Sequence, residues 1–221
     1  MNTVIQIRFV WKPLVFGLCL LPAALVVTDA AGLTGGLGVN AVEDIQDRFG
    51  NWGLRFIMIT LAVTPLRQLT GRNWLVRFRR MLGLFAFFYV LMHFLTWLVL
   101  DQTLLWSAIQ EDVFERPFIT LGFAALILLI AMAATSPIAM RRRMGRRWQV
   151  LHNSVYVVGV LGVVHFWWQV KLDTREPAIY AAILIVLLGY RLHRRLTSRP
   201  RARTASPPPR HGSSSAERAR A

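Results

Sequence analysis

Three histidines, His93, His152 and His165, stand inside long apolar stretches of this 221-residue chain. An ionisable side chain in such surroundings is costly, and its ordinary state is a neutral imidazole sharing a hydrogen bond across a helix interface. A neutral imidazole is also a transition-metal ligand through either ring nitrogen. Two imidazoles facing each other at one depth would fill both axial positions of a haem iron, and saturated ligation suits electron transfer because no position is left for oxygen. The other two histidines differ. His193 lies in an arginine cluster and His211 in a tail rich in Arg, Pro and Ser, and both read as solvated. Cys19 is the single cysteine, so an internal disulfide, a CxxC redox pair and a cysteine zinc cage are excluded.

The elements that position these histidines are apolar blocks of membrane-spanning length, in a chain that is 55% hydrophobic. Six blocks stand out, at Pro13–Val27, Trp52–Leu66, Met81–Leu100, Phe118–Met140, Leu151–Trp168 and Ala178–Tyr190. Lipid offers the backbone no hydrogen bonds, so each block is expected to be helical, and none alternates as a barrel strand would. The sixth can gain length from snorkelling Arg191, Arg194 and Arg195. The fold class is therefore an all-α integral membrane protein of six helices. Seven tryptophans, Trp11, Trp52, Trp97, Trp106, Trp148, Trp167 and Trp168, fall near block ends, where indoles favour the headgroup zone or pack between helices.

Charge orients the blocks. Arg8 and Lys12 precede the first block without an acid, and Asp29, Glu43, Asp44 and Asp47 follow it against Arg48. The second connection holds Arg67, Arg72, Arg77, Arg79 and Arg80 and no acid; the third holds Asp101, Glu111, Asp112 and Glu115 against Arg116. The fourth holds Arg141, Arg142, Arg143, Arg146 and Arg147, and the fifth balances Lys171 and Arg175 against Asp173 and Glu176. Basic and non-basic segments alternate throughout, which places both termini in the cytoplasm of a bacterial inner membrane. The formal charge of +15 is thus spread through inner connections and tail rather than gathered on a soluble face, which argues against nucleic-acid binding. Residues 1–197 form the transmembrane domain, and 198–221 read as a disordered basic tail able to lie near anionic membrane lipids. The first block also has the outline of a signal peptide, with Thr28-Asp29-Ala30 a tolerable cleavage site. Cleavage would leave the orientation of the other five helices unchanged.

In this topology the third and fifth helices both run outward. His165 follows His152 by thirteen residues, about 20 Å of helix rise, which sets His152 near the inner face and His165 near the outer one. His93, thirteen residues beyond Arg80, reaches a depth comparable to His165. His152 has no histidine at its own level; the facing stretch holds Arg79 and Arg80, and Arg79 is suited to haem propionates or lipid phosphate rather than to iron. Thirteen residues make about 3.6 turns, so His152 and His165 do not share a face of an ideal helix. Gly159 and Gly162 between them can permit a distortion or a close haem edge.

Several stretches together resemble a known family. Arg79-Arg80-Met81-Leu82-Gly83-Leu84 with Tyr89 and His93 is similar to the third helix of the ferric-reductase-like transmembrane family. Thr135-Ser136, Met140-Arg141, Gly145 through Asn153, His165, Val170-Lys171, Glu43-Asp44-Ile45-Gln46 and Thr64-Pro65-Leu66-Arg67 narrow the likeness. They point to the haem-binding membrane subunits of periplasmic methionine-sulfoxide reductase systems, over about residues 10 to 195. The resemblance implies haem b, one with a second left open, held by His93, His152 and His165, and an associated FMN whose contacts are not placed. It implies a donor in the quinone pool or a cytoplasmic flavin reductase. The acceptor would be a periplasmic molybdopterin-containing, MsrP-like reductase that repairs oxidised methionines. Wider relatives carry four such histidines; here Arg79 stands in the fourth place. They also append a flavin–nicotinamide domain that has no counterpart among these blocks, so the electron donor is expected to be separate.

The reading that follows is an electron-transfer subunit with no catalytic residue of its own. Outer acidic segments Asp29–Gly50 and Asp101–Arg116 are expected to dock the acceptor, and the inner arginines to face lipid headgroups or the FMN phosphate. Two alternatives differ in class: an ion or metal transporter with a histidine-lined path, and a haem-free assembly factor. A transporter needs paired acids or broken helices within the membrane, and all eleven acids lie outside the block interiors. Gly35-Gly36-Leu37-Gly38 sits in an outer connection and reads as a turn, not a phosphate loop.

Overall fold

The computed structural model describes residues 3–170 and 173–197; the basic tail 198–221 and the pair 171–172 lie outside the described residues. Ten α-helices follow one another: α1 (Thr3–Gln6), α2 (Lys12–Ala30), α3 (Ala41–Thr70), α4 (Val76–Thr96), α5 (Trp106–Glu115), α6 (Pro117–Ala134), α7 (Ile138–Met144), α8 (Arg146–Asn153), α9 (Val155–Gln169) and α10 (Arg175–Thr197). π-helical turns at Ile7–Trp11 and Trp97–Asp101 extend α2 and α4, and a 3-10 turn at Asn73–Leu75 leads into α4. No strand occurs among the described residues.

Among the described residues five segments are long and apolar enough to cross a membrane: Ile7–Ala30, Asn73–Asp101, Pro117–Ala134, Arg146–Gln169 and Arg175–Thr197. The helix that contains the second apolar block, α3, is absent from that set although it is 30 residues long. It is the central helix, packed against α4 along its length and touching α2, α9 and α10 as well. Phe49, Leu54, Phe56, Ile57, Met58, Leu61 and Val63 are all buried on it. A helix surrounded by protein needs less hydropathy than one that faces lipid. It can also hold a charge: Arg55 donates from Nε to the Tyr180 hydroxyl at 2.9 Å and lies 4.9 Å from the Trp52 ring. Asn40 caps its start by accepting from the Glu43 N–H, and Gly71 at φ 68° ends it in the left-handed region that glycine enters without strain.

Two expected helices are divided. The fourth block stops at Ala134 instead of running to Met140, because Pro137 cannot continue a helix and Thr135 turns its hydroxyl back onto the Ala131 carbonyl at 2.7 Å. In the fifth block the interruption falls at Ser154, between α8 and α9, rather than at the glycines. Gly159 and Gly162 are instead close-packing points. A Cβ on Gly159 would meet Leu184 Cδ1 at 3.2 Å and Leu61 Cδ1 at 3.3 Å, and one on Gly162 would meet Leu54 Cδ1 at 3.3 Å.

Pro22 breaks the hydrogen-bond ladder of α2, and a side chain from α4 completes the repair. The Tyr89 hydroxyl donates to the Cys19 carbonyl at 2.7 Å and accepts from the Ala23 N–H at 3.1 Å, standing between the two ends of what would be one helical bond. Tyr89 is fully buried and stacks on Phe56, so α2, α3 and α4 meet at one ring. Tyr89→Phe is expected to cost about 1–3 kcal/mol by orphaning buried backbone groups. The change would appear as a lower thermal midpoint of the detergent-solubilised chain in far-UV circular dichroism. An unchanged midpoint would mean that α2 recloses the bond unaided.

Candidate haem site

α4 and α9 bring His93 and His165 together across the bundle, with their rings edge-on to one another. Their ring centroids are 6.2 Å apart and their planes are at 87°. Each ring is anchored from behind. His93 Nδ1 lies 2.8 Å from the Gln46 carbonyl of α3, and His165 Nδ1 lies 2.7 Å from the Phe118 carbonyl of α6. A carbonyl can only accept, so both Nδ1 atoms carry the proton and both Nε2 atoms keep their lone pair. Among the described residues no hydrogen-bond partner meets either Nε2. This is the arrangement by which metal-ligating histidines are oriented, with one nitrogen donating to a fixed oxygen and the other left for the metal.

The spacing matches an iron between them. A metal–nitrogen bond of about 2 Å sets the imidazole centroid roughly 3 Å from the metal, so two axial rings stand about 6 Å apart. A cavity of about 680 Å³ surrounds the pair, lined on its apolar side by Leu54, Ile57, Val90, Phe94, Leu126 and Leu129. That volume falls within the usual range for cofactor-sized ligands, about 300–1,000 Å³. The donor set, neutral imidazoles in an apolar slot, is suited to haem and ill suited to a hydrated cation; no group of three or more metal-ligating side chains occurs among the described residues.

The rim of this cavity is polar. Glu43, Asp47, Asp101 and Asp173 line it together with Arg116. Arg116 is tied through Nε to Asp112 Oδ1 at 3.2 Å, and Asp112, itself buried, also accepts from Gln102 at 2.8 Å and from the Trp97 indole at 3.4 Å. Beside the rim, hydrogen bonding to Arg48 holds the Asp44 carboxyl below its usual range. Partial desolvation, with the charges of Glu43, Asp44 and Glu176, pushes Asp47 above it, although its outer edge is open to solvent. Acids read from sequence as a docking surface therefore also form the lip of the histidine cavity.

His152 lies elsewhere, in a second cavity of about 340 Å³ with Arg79, Arg80, Arg141, Trp148 and Thr60. Its ring stacks on Trp148 at 3.9 Å, and its Nε2 lies 3.2 Å from the Thr135 hydroxyl. That hydroxyl makes its shorter contact, 2.7 Å, to the Ala131 carbonyl, which leaves an oxygen lone pair to accept from His152 Nε2–H. Trp148 Nε1 donates to the Thr135 carbonyl at 3.0 Å, and Arg141 stands 5.3 Å from the indole. No second imidazole faces His152 among the described residues. Thr60 Oγ1, buried and without a hydrogen-bond partner, belongs to a residue that lines this cavity. Ile57 and Leu129 line both cavities.

The anchoring roles of Gln46 and Phe118 have no signature in the sequence, because both act through main-chain oxygens. Arg116, Thr135 and Trp148 are named in the sequence pattern, but their places at the rim and around His152 emerge only from the fold. His193, near the end of α10, is in neither cavity, and His211 lies outside the described residues.

Residues 49–163 match the family model described as ferric reductase like transmembrane component. A protein-methionine-sulfoxide reductase heme-binding subunit MsrQ from Xanthomonas euvesicatoria pv. vesicatoria (strain 85-10) is 49% identical over 203 residues, covering 90% of this chain and 93% of the relative. The MsrQ of Xanthomonas oryzae pv. oryzae (strain MAFF 311018) is 52% identical over 173 residues, 78% of this chain and 79% of the relative. That of Ralstonia nicotianae (strain ATCC BAA-1114 / GMI1000) is 54% identical over 164 residues, with 73% and 76% covered. No solved structure matches the chain.

Proposed function

Because the chain belongs to the MsrQ family of haem-binding subunits, within the ferric-reductase-like transmembrane proteins, we propose that it is the membrane electron-transfer subunit of a methionine-sulfoxide reductase system. In this reading His93 and His165 hold one haem b. Electrons come from quinol or a flavin donor on the cytoplasmic side and leave to a periplasmic, molybdopterin-containing MsrP-like reductase that repairs oxidised envelope proteins. The observation that carries it is the pair of carbonyl-anchored imidazoles at 6.2 Å. Haem, when bound there, supplies a one-electron iron couple whose potential the protein sets by ligation and burial. The residues do the rest. Gln46 and Phe118 carbonyls fix the tautomer, the apolar wall keeps water from the ligands, and Arg116 with the rim amides Gln46, Asn51 and Gln169 is placed to meet propionate charge.

We infer six spans with both termini cytoplasmic, α3 being the second. The rim of the larger cavity gathers acids from the first, third and fifth connections, whereas the smaller one gathers arginines from the second and fourth. That segregation supports a periplasmic outer cavity and a cytoplasmic inner one. The inner cavity is then the electron entry. His152, Trp148 and Arg79 would receive a planar, anionic redox group there, a second haem or the FMN of the family resemblance. Arg79, Arg80 and Arg141 supply the positive charge for its carboxylates or phosphate. Residues 198–221 would lie along anionic lipid as a basic tail.

Sealed vesicles test this reading. With the haem-loaded chain in the bilayer, reduced flavin or quinol on one side should reduce ferricyanide trapped on the other. A rate no higher than in vesicles carrying the His93→Ala variant would refute it.

A further inference from the structure

Gly50 and Gly122 sit behind the two imidazoles. Gly50 is one helical turn after Gln46, and Gly122 one turn after Phe118, the two residues whose carbonyls anchor the rings. A Cβ on Gly50 would lie 2.9 Å from His93 Nδ1 and 3.1 Å from its Cε1; on Gly122 it would lie 3.1 Å from both Nδ1 and Cε1 of His165. The 2.9 Å contact is closer than a methyl group tolerates and the 3.1 Å contacts force the neighbour to shift by a few tenths of an ångström, which moves each ring away from its hydrogen-bonded position. The two sets also share one register, since each carbonyl precedes its histidine by 47 residues. The same local device occurs twice, once in the α3–α4 pair and once in the α6–α9 pair.

We propose that Gly50 and Gly122 are positioning residues for the axial ligands: each leaves a notch into which the neighbouring imidazole sinks until its Nδ1–H reaches the helix carbonyl. The proposal rests on His93 and His165 ligating haem. The notches set two properties at once. They fix each ring about its long axis, and so hold the two planes near perpendicular, at 87°. They also keep the Nδ1–H···O=C bonds short, which makes the imidazoles better electron donors and favours ferric iron. Glycine inside a helix costs about 1 kcal/mol relative to alanine, and at these two positions, unlike at Gly17 and Gly189, an imidazole occupies the space a methyl group would take.

Electron paramagnetic resonance of the oxidised holoprotein reads the ring angle. Near-perpendicular axial imidazoles give a highly anisotropic low-spin ferric signal with one dominant g value, whereas coplanar rings give an ordinary rhombic one. The wild type is expected to show the former. Gly50→Ala and Gly122→Ala are each expected to move the dominant g value and to shift the midpoint potential positive. Loss of haem with unchanged helix content is the stronger form of the same result. Gly17→Ala and Gly189→Ala, whose added methyls meet nothing within 4 Å, are the controls and should match the wild type. A rhombic wild-type signal typical of coplanar rings, or alanine variants at positions 50 and 122 indistinguishable from the controls, would overturn the glycine role alone. A haem-free wild type would overturn the ligand assignment and the glycine role together.

Discussion

His93→Ala and His165→Ala are each expected to empty the larger cavity, lowering haem by one equivalent per chain. Either change leaves the remaining imidazole facing a methyl group across a gap that a single ligand cannot close, since the rings are held about 6 Å apart by anchors on different helices. The anchors are backbone carbonyls of α3 and α6, so the surviving ring cannot follow the iron without breaking its own hydrogen bond. Truncation also enlarges an already large cavity, and alanine is a good helix former, so the bundle itself should persist. Haem content by pyridine haemochrome on purified variants, with circular dichroism to check helix content, measures the effect. Retention of wild-type haem in either variant would remove that histidine from the axial pair.

A second large effect is expected at the other cavity. His152→Ala should keep the outer haem and slow its reduction by quinol or reduced flavin at least about tenfold, equivalent to some 1.4 kcal/mol in barrier. The residue shares no hydrogen bond with the outer site. It stacks on Trp148 and meets Thr135, while Ile57 and Leu129 line both its cavity and the larger one. Stopped-flow reduction distinguishes the two losses: dithionite should reduce wild type and variant alike, whereas the physiological type of donor should not. Equal rates with both reductants would remove His152 from the entry route, and loss of all haem would place it in the same site as His93 and His165.

Much of this was readable from the chain because bilayer physics acts through side-chain type. Apolar length marked the helices, and the depth estimate from helix rise brought His93 and His165 together while setting His152 apart. The central helix α3 was legible only as the block Trp52–Leu66, since it is shielded by its neighbours and its hydropathy is diluted by Arg55 and its acidic start. The divided fourth block needed Pro137 to be weighed above the apolar run that surrounds it. The site's anchors were out of reach for a different reason. Gln46 and Phe118 contribute only main-chain oxygen, and any residue type would supply it. Gly50 and Gly122 carried the one available signal, an isolated glycine in a helical stretch, which marks a close approach without naming what approaches. From sequence the acids of Asp29–Gly50 and Asp101–Arg116 read as a docking surface, because sequence order does not reveal that Glu43 and Asp101 converge with Asp173 on one rim.

The most direct measurement is the reduced-minus-oxidised absorption spectrum of the purified wild-type chain from haem-sufficient cells, combined with haem per chain. A haem held by His93 and His165 predicts b-type bands from low-spin, six-coordinate iron with at least one haem per chain. A colourless preparation, or a high-spin haem that binds carbon monoxide freely, would contradict it.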